Sequence, residues 1–247
     1  MTHSTRGLAR LGLLVPYTNT NMEPDFAMMC PAGVSLHVAR MGGYDEHEIP
    51  DEAQMQGLGS ADLEEPLALL SGAKPDVVIY GCTSATLTHG QEFDRDLADR
   101  ITRNTGAKTV TAAGALVVAL RRLGVSRIGF ASPYVPAINE AAIDFLSSAG
   151  VQTVARSEVS SPLSNDGQGA LTPEEVFALG RAADHDEADA LVLSCTDMRS
   201  LETLQVLENA VGKPVICSNQ AMMSEALSVL GHSDPIRGFG QLLVEPR

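Results

Sequence analysis

Asp76-Val77-Val78-Ile79-Tyr80-Gly81-Cys82-Thr83-Ser84 and Asp189-Ala190-Leu191-Val192-Leu193-Ser194-Cys195-Thr196-Asp197 are two versions of one pattern. Each opens on Asp, runs through aliphatic or aromatic residues, narrows to a small residue and ends in Cys-Thr. A short apolar run bounded by small polar residues reads as a strand buried on both faces, as in a parallel sheet. Each cysteine then falls at a strand's carboxyl end, where open α/β sheets bind their ligands. Two such ends from two related halves point to one site served by two thiols.

The echo extends along the chain. Arg10-Leu11-Gly12-Leu13-Leu14-Val15-Pro16-Tyr17 resembles Arg127-Ile128-Gly129-Phe130-Ala131-Ser132-Pro133-Tyr134, each a strand ending at Pro-Tyr and followed by a polar or small-residue stretch. Gly106-Ala107-Lys108-Thr109-Val110 and Gly212-Lys213-Pro214-Val215-Ile216 form a third pair, each leading into a helical stretch, Ala112–Leu123 and Gln220–Leu230. Three motifs recurring in one order roughly 110 residues apart indicate an internal duplication.

Helical patterns at Leu63–Leu70, Glu92–Thr105, Ala137–Ala149 and Pro173–Asp184 alternate with these strands. Pro173 suits a first helical position behind an N-capping Thr172, with Glu174 and Glu175 at the positive helix end. Such alternation predicts an α/β protein of two pseudo-symmetric lobes, each a mainly parallel sheet flanked by helices, with the active site in the cleft between them. The expected division is residues 1–112 with 218–247 in the first lobe and 113–217 in the second. The loops Gly42–Gly59 and Glu158–Leu171 are the expected mobile covers.

Composition narrows the function. A net charge of −14 repels nucleic acid and anionic membranes. Aromatics at 4% with no Trp leave no platform for stacking bases. The charge also repels a small dianion at long range, so an anion site here must use short-range donors. No apolar run approaches the roughly 20 residues of a membrane span, and residues 1–6 carry no leader signature. A cytoplasmic setting follows, in which cysteines 30, 82, 195 and 217 are thiols, and their spacing fits no zinc site. The histidines at 3, 37, 47, 89, 185 and 232 lack metal-ligand spacing. His89 is near enough in sequence to Cys82 to reach the site but fits a helix surface better. No phosphate-binding glycine motif is present, so no nucleotide or other cofactor is implied. Cys30 and Cys217 lack the Cys-Thr context and read as structural, and the acidic clusters 45–48 and 184–189 read as solvated faces.

A helix beginning just after Cys82 would aim the N–H groups of Thr83 and Ser84 at thiolate and substrate, and Cys195 with Thr196 would do the same from the other lobe. That arrangement predicts depressed thiol pKa values. Two opposed thiols suit proton transfer on both faces of a carbon, which is racemisation or epimerisation. They equally suit addition to an activated alkene, rotation about the resulting single bond, and elimination to the other geometric isomer. A two-lobed cleft also suits a binding protein, which would need neither sulfur.

The paired Cys-Thr strand ends, tandem lobes and length resemble the aspartate/glutamate racemase superfamily. Within it, Val15-Pro16-Tyr17-Thr18-Asn19-Thr20-Asn21-Met22-Glu23 is similar to the Val-Pro-Ser-Ser-Asn-Thr-Thr-Met-Glu opening of maleate cis-trans isomerases, a branch that includes arylmalonate decarboxylases. The resemblance covers essentially the whole chain, through Pro133-Tyr134, Asn165 upstream of Pro173-Glu174-Glu175-Val176, and Ser194-Cys195-Thr196. It implies that Cys82 attacks the alkene and Cys195 transfers the proton. It further implies that Asn19, Tyr134 and Asn165 hold the substrate carboxylates, with Thr83, Ser84 and Thr196 as further donors. A homodimer is common in the family. Amino-acid racemases usually carry Cys-Asn-Thr where this chain has Cys82-Thr83-Ser84. Arylmalonate decarboxylases generally carry Gly where it has Cys82. The isomerases commonly have Ser-Ser where it has the bulkier Tyr17-Thr18.

Overall fold

The computed structural model describes residues 7 and 9–246; the leader reading at residues 1–6, and His3 with it, lies outside them. In the first half β1 (Ala9–Pro16) leads through α1 (Met22–Met29) to β2 (Val34–Met41). Then α2 (Glu52–Ser60) and α3 (Glu64–Ser71) precede β3 (Val77–Tyr80). It closes with α4 (Thr83–Leu87), α5 (Gly90–Thr105), β4 (Lys108–Thr111) and α6 (Ala112–Arg122). The second half runs β5 (Arg127–Ser132), α7 (Pro136–Ser148), β6 (Gln152–Glu158), α8 (Asn165–Gly169), α9 (Pro173–Ala182), β7 (Ala190–Leu193), α10 (Leu201–Val211), β8 (Val215–Cys217) and α11 (Ser218–Val229). A 3-10 turn at Gln241–Leu243 follows.

The two halves build the same object. One four-stranded sheet has the order β2-β1-β3-β4 and the other β6-β5-β7-β8, so each strand has a counterpart in the same place. All pairings are parallel, with Leu11 opposite Val77 in the first sheet and Ile128 opposite Ala190 in the second. The quoted runs are β3 and β7, and every residue in both is buried, as a strand covered on two faces requires.

The expected helices form within one or two residues of their predicted ends. Thr172 caps α9 in a reciprocal box, accepting from Glu175 N at 3.2 Å while the Glu175 carboxylate accepts from Thr172 N at 2.8 Å. The edge strands β2 and β6 carry no uniform apolar run. With a neighbour on one side only, their residues are mostly half-buried or exposed, and mixed stretches such as His37–Arg40 and Gln152–Arg156 suffice. The stretch after Pro16-Tyr17, polar by composition, turns into α1 because the Asn19 carboxamide oxygen accepts the N–H groups of Asn21 and Met22, at 3.1 and 2.9 Å. No helix follows Cys195. Residues 196–198 bend instead, and Asp197 turns its carboxylate across to the other half, where it accepts Thr20 N at 2.9 Å and Asn21 N at 3.1 Å.

The repeated glycine of the first echo marks a close approach in both halves. A Cβ on Gly12 would meet the Leu70 side chain at 3.0 Å, whereas one on Gly129 would collide with the carbonyl oxygen of Ala183. A side chain yields and a packed backbone does not. Gly129→Ala is therefore expected to cost about 3 kcal/mol or more, and Gly12→Ala roughly 1 kcal/mol, in urea unfolding. Equal costs would contradict this packing.

Candidate active site

The carboxyl ends of β1, β3, β5 and β7 converge on one cavity of about 40 Å³, room for a few water molecules. Its walls include Cys82 and Cys195, both buried, together with Asn19, Tyr134, Asn165, Thr83, Ser84 and Thr196. All eight residues singled out from the sequence therefore meet. Tyr44, Gln168 and Asp197 line the cavity as well, with Met55 and Leu58 as apolar wall. Sequence reasoning missed these because they come from loops and short helices whose approach is set by tertiary packing. His89 does not line it. Its ring stacks on Phe93 at 3.8 Å and its Nε2 meets the Gln56 carbonyl at 2.9 Å.

Each threonine of the Cys-Thr pairs reaches into the opposite half. Thr83 Oγ1 donates to Ser218 Oγ, just past β8, at 2.9 Å. Thr196 Oγ1 donates to the Gly81 carbonyl, just past β3, at 2.9 Å and accepts from Asn19 Nδ2 at 3.0 Å. Ser84 Oγ donates to Met55 Sδ at 2.9 Å. The two threonine hydroxyl hydrogens are thus engaged within the protein, and the Ser84 hydroxyl serves Cys82, 3.7 Å away, only by turning from Met55; backbone N–H groups and the second hydrogen of Asn19 Nδ2 remain for a ligand.

The two loops expected as covers are tied to each other above the cavity. Asn165 N donates to the Glu48 carbonyl at 2.9 Å and Asp166 N to that of Glu46 at 3.0 Å. Asn165 Nδ2 donates to the Asp45 carbonyl and to Gln54 Oε1, at 3.0 and 3.2 Å. The Asn165 amide hydrogens therefore fasten the cover, and a ligand that uses them must take over one of these bonds.

Both thiols are raised rather than depressed, because burial penalises the thiolate more than nearby N–H groups favour it. For Cys82 burial leads, opposed by the N–H groups of Ala85 and Ser84 and by the Ser84 hydroxyl, whose oxygen lies 3.7 Å from Sγ. Burial and then the Asp197 carboxylate push Cys195 to about 12, against the N–H groups of Asp197 and Met198. Cys82 thus has a donor hydroxyl beside it and Cys195 has an opposing carboxylate. Burial, with Cys195 and Cys82 next, also holds the Tyr134 phenol well above its ordinary value, and burial lifts Tyr44 to about 12. Both phenols are O–H donors at neutral pH. Among the described residues no Arg or Lys lines the cavity, so their donors to an anion are neutral.

Beneath this floor lies a buried polar bridge. Asn219 Nδ2 donates to Asp25 Oδ2 at 2.7 Å and to the Thr196 carbonyl at 2.9 Å. Cys217 is buried outside the cavity, and Cys30 is half-buried.

The fold and site define a class: a two-lobed α/β protein with one thiol from each lobe facing a narrow interlobe cavity. The chain belongs to the arylmalonate decarboxylase family, whose profile matches residues 11–243. It is 28% identical over 249 residues to a maleate isomerase of Nocardia farcinica, covering 96% of each chain. It is 26% identical to an arylmalonate decarboxylase of Bordetella bronchiseptica, covering 94% of this chain and 92% of that one. Among solved structures it is similar to a Nocardia farcinica maleate cis-trans isomerase, a cysteine-to-serine mutant with a covalently bound succinylcysteine intermediate. The TM-score is 0.88 at 26% identity, covering 98% of this chain and all of that one.

Burial raises Asp25 from 3.8 to about 7 despite the Asn219 hydrogen bond. The folded chain keeps this proton up to about pH 7 while the unfolded chain releases it near 4, so stability falls as pH rises through that window. Asp25→Asn keeps an acceptor for Asn219 and offers a donor to Asn219 Oδ1, which has no partner among the described residues. It is expected to exceed the parent in unfolding free energy by about 2–4 kcal/mol at pH 8 and by nothing at pH 4. A gain independent of pH would contradict the assignment.

Proposed function

We propose that the chain is a cofactor-independent cis-trans isomerase of a small unsaturated dicarboxylate of the maleate type, with Cys82 as nucleophile and Cys195 as acid and base. The observation that carries this reading is the pair of unlike thiols on one narrow cavity. The succinylcysteine carried by the Nocardia farcinica isomerase supplies the chemical precedent.

Cys82 releases its proton to solvent before the addition, its thiolate stabilised by the Ser84 hydroxyl and the first N–H groups of α4, and the sulfur's electron pair bonds to one alkene carbon. The electron pair displaced onto the neighbouring carbon takes the Cys195 proton, giving a succinyl thioether and a Cys195 thiolate. The central C–C bond is now single and rotates. The Cys195 thiolate takes the proton back from carbon, the C–S bond breaks with its electron pair returning to Cys82, and the trans isomer leaves Cys195 as thiol and Cys82 as thiolate, ready to add again or to be reprotonated by solvent. Asn19, Tyr134 and Asn165, with backbone donors at Thr83, Ser84 and Thr196, hold the carboxylates as enolate charge develops.

The racemase reading would use two equivalent bases, and the different neighbours of Cys82 and Cys195 argue against equivalence. Decarboxylation of a substituted malonate has no step for Cys82, and the narrow cavity is a poor fit for an aryl group. The reading carries with it a cytoplasmic homodimer, in keeping with four free cysteines. It also divides the lobes at 1–112 with 218–247 and 113–217, with α11 packing on α1, β3 and β4 of the first and on α6 and β8 of the second.

Proton NMR of maleate with the enzyme is expected to show fumarate, and Cys82→Ser and Cys195→Ser each to lose at least about 10³-fold in kcat. Turnover of phenylmalonate but not maleate would overturn the proposal. Because Cys82 starts as a buried thiol, kcat/KM is expected to rise about tenfold per pH unit from 6 to 8; a flat profile would contradict a thiolate nucleophile.

A further inference from the structure

The Cys195 thiol has two side-chain hydrogen-bond neighbours on the cavity wall, the Tyr134 phenol and Gln168, and it donates to the second. Its Sγ donates to Gln168 Oε1 at 3.6 Å, with both residues buried. Gln168 lies on α8, and three contacts set its place. Ser164 caps the helix by accepting Gly167 N at 3.3 Å, and Asn21 Nδ2 donates to the Gly169 carbonyl at 3.0 Å. A Cβ on Gly169 would stand 2.7 Å from Asp197 Oδ2, so glycine there lets α8 lie against the Cys195 turn. Among the described residues, Gln168 Nε2 donates to none.

We propose that Gln168 is a positioning residue whose carboxamide serves both protonation states of Cys195 in turn, accepting the S–H of the resting thiol and donating N–H to the thiolate left after proton transfer. This rests on the isomerase reading. When the Cys195 S–H bond breaks and a C–H bond forms on the substrate, sulfur keeps the electron pair. It is then a buried anion beside the Asp197 carboxylate. Rotation of the Gln168 amide by half a turn replaces the acceptor oxygen with Nε2–H, a charge-assisted bond to sulfur. When the proton returns, the amide turns back. A carboxamide can do both jobs, a thioether accepts only weakly and donates nothing, and an ionised carboxylate does only the first. The other ionisable groups facing Cys195 are Asp197, two residues on past the same strand, and Tyr134 past the neighbouring β5, with Cys82 and Tyr44 across the cavity. Asp166, two residues before Gln168, pairs with His47 at 3.3 Å.

Two substitutions of similar volume test this. Gln168→Met is expected to lower kcat for maleate by about 10–100-fold at every pH with KM changed less than about threefold. Gln168→Glu is expected to keep near-parental kcat while its carboxyl is protonated. It should then lose activity as that carboxyl ionises, a descending limb the parent lacks. A side chain that only fills space would not create that limb. Parental kcat in Gln168→Met, or parallel pH profiles for parent and Gln168→Glu, would overturn the proposal. A second arm does not depend on the substrate. In the Cys82→Ser background, chloroacetamide alkylation of Cys195 at pH 9, read on its peptide by mass spectrometry, is expected to slow about tenfold with Gln168→Met. An unchanged rate there would overturn the proposal even if maleate is not the substrate.

Discussion

The site depends on two hydroxyl groups that cross between the halves, Thr83 to Ser218 and Thr196 to the Gly81 carbonyl. A duplicated chain can bury two similar sheets without fixing how their strand ends face each other. Hydrophobic packing is non-directional and tolerates small rotations, whereas a buried hydrogen bond loses most of its worth if its geometry slips. Each crossing bond contributes roughly 1 kcal/mol net, but leaving its partner unsatisfied costs about 1–3 kcal/mol. Because each threonine directly follows a cysteine, the same residues that tie the strand ends of the two sheets together also set the two sulfurs on one cavity. Asn19 joins this lock by donating to Thr196 while its oxygen starts α1.

The electrostatics follow from how tightly the lock closes. A cavity with room for a few waters desolvates everything on its wall, so both cysteines rest as thiols and both tyrosines as phenols. Near-identical sequence patterns then acquire different chemistry from their neighbours. After Cys82 a short helix presents N–H groups and Ser84. After Cys195 the chain bends, and Asp197 and Gln168 favour the protonated form. A symmetric scaffold thereby holds an asymmetric acid–nucleophile pair.

Much of this was legible in the chain. The runs ending at Cys82 and Cys195 named the central strands, because strands covered on both faces must be apolar throughout. Their ordered recurrence gave the two-sheet plan. The edge strands β2 and β6 escaped notice because half-exposed strands need no such signature. The helix expected after Cys195 failed for a long-range reason: Asp197 is drawn to the N–H groups of Thr20 and Asn21, far away in sequence. The depressed thiol values failed because the helix end was weighed without the burial that outweighs it. Tyr44 and Gln168 were invisible because nothing local distinguishes a residue of a loop or a one-turn helix that tertiary packing turns inward.

The central claim is that one specific sulfur bonds to substrate while the other manages the proton. Intact-mass and peptide-mass analysis of Cys195→Ser after exposure to maleate tests it most directly. The account requires one succinyl group per chain, on Cys82. A succinyl group on Cys30 or Cys217 instead, or undiminished turnover by a protein with neither Cys82 nor Cys195, would contradict it.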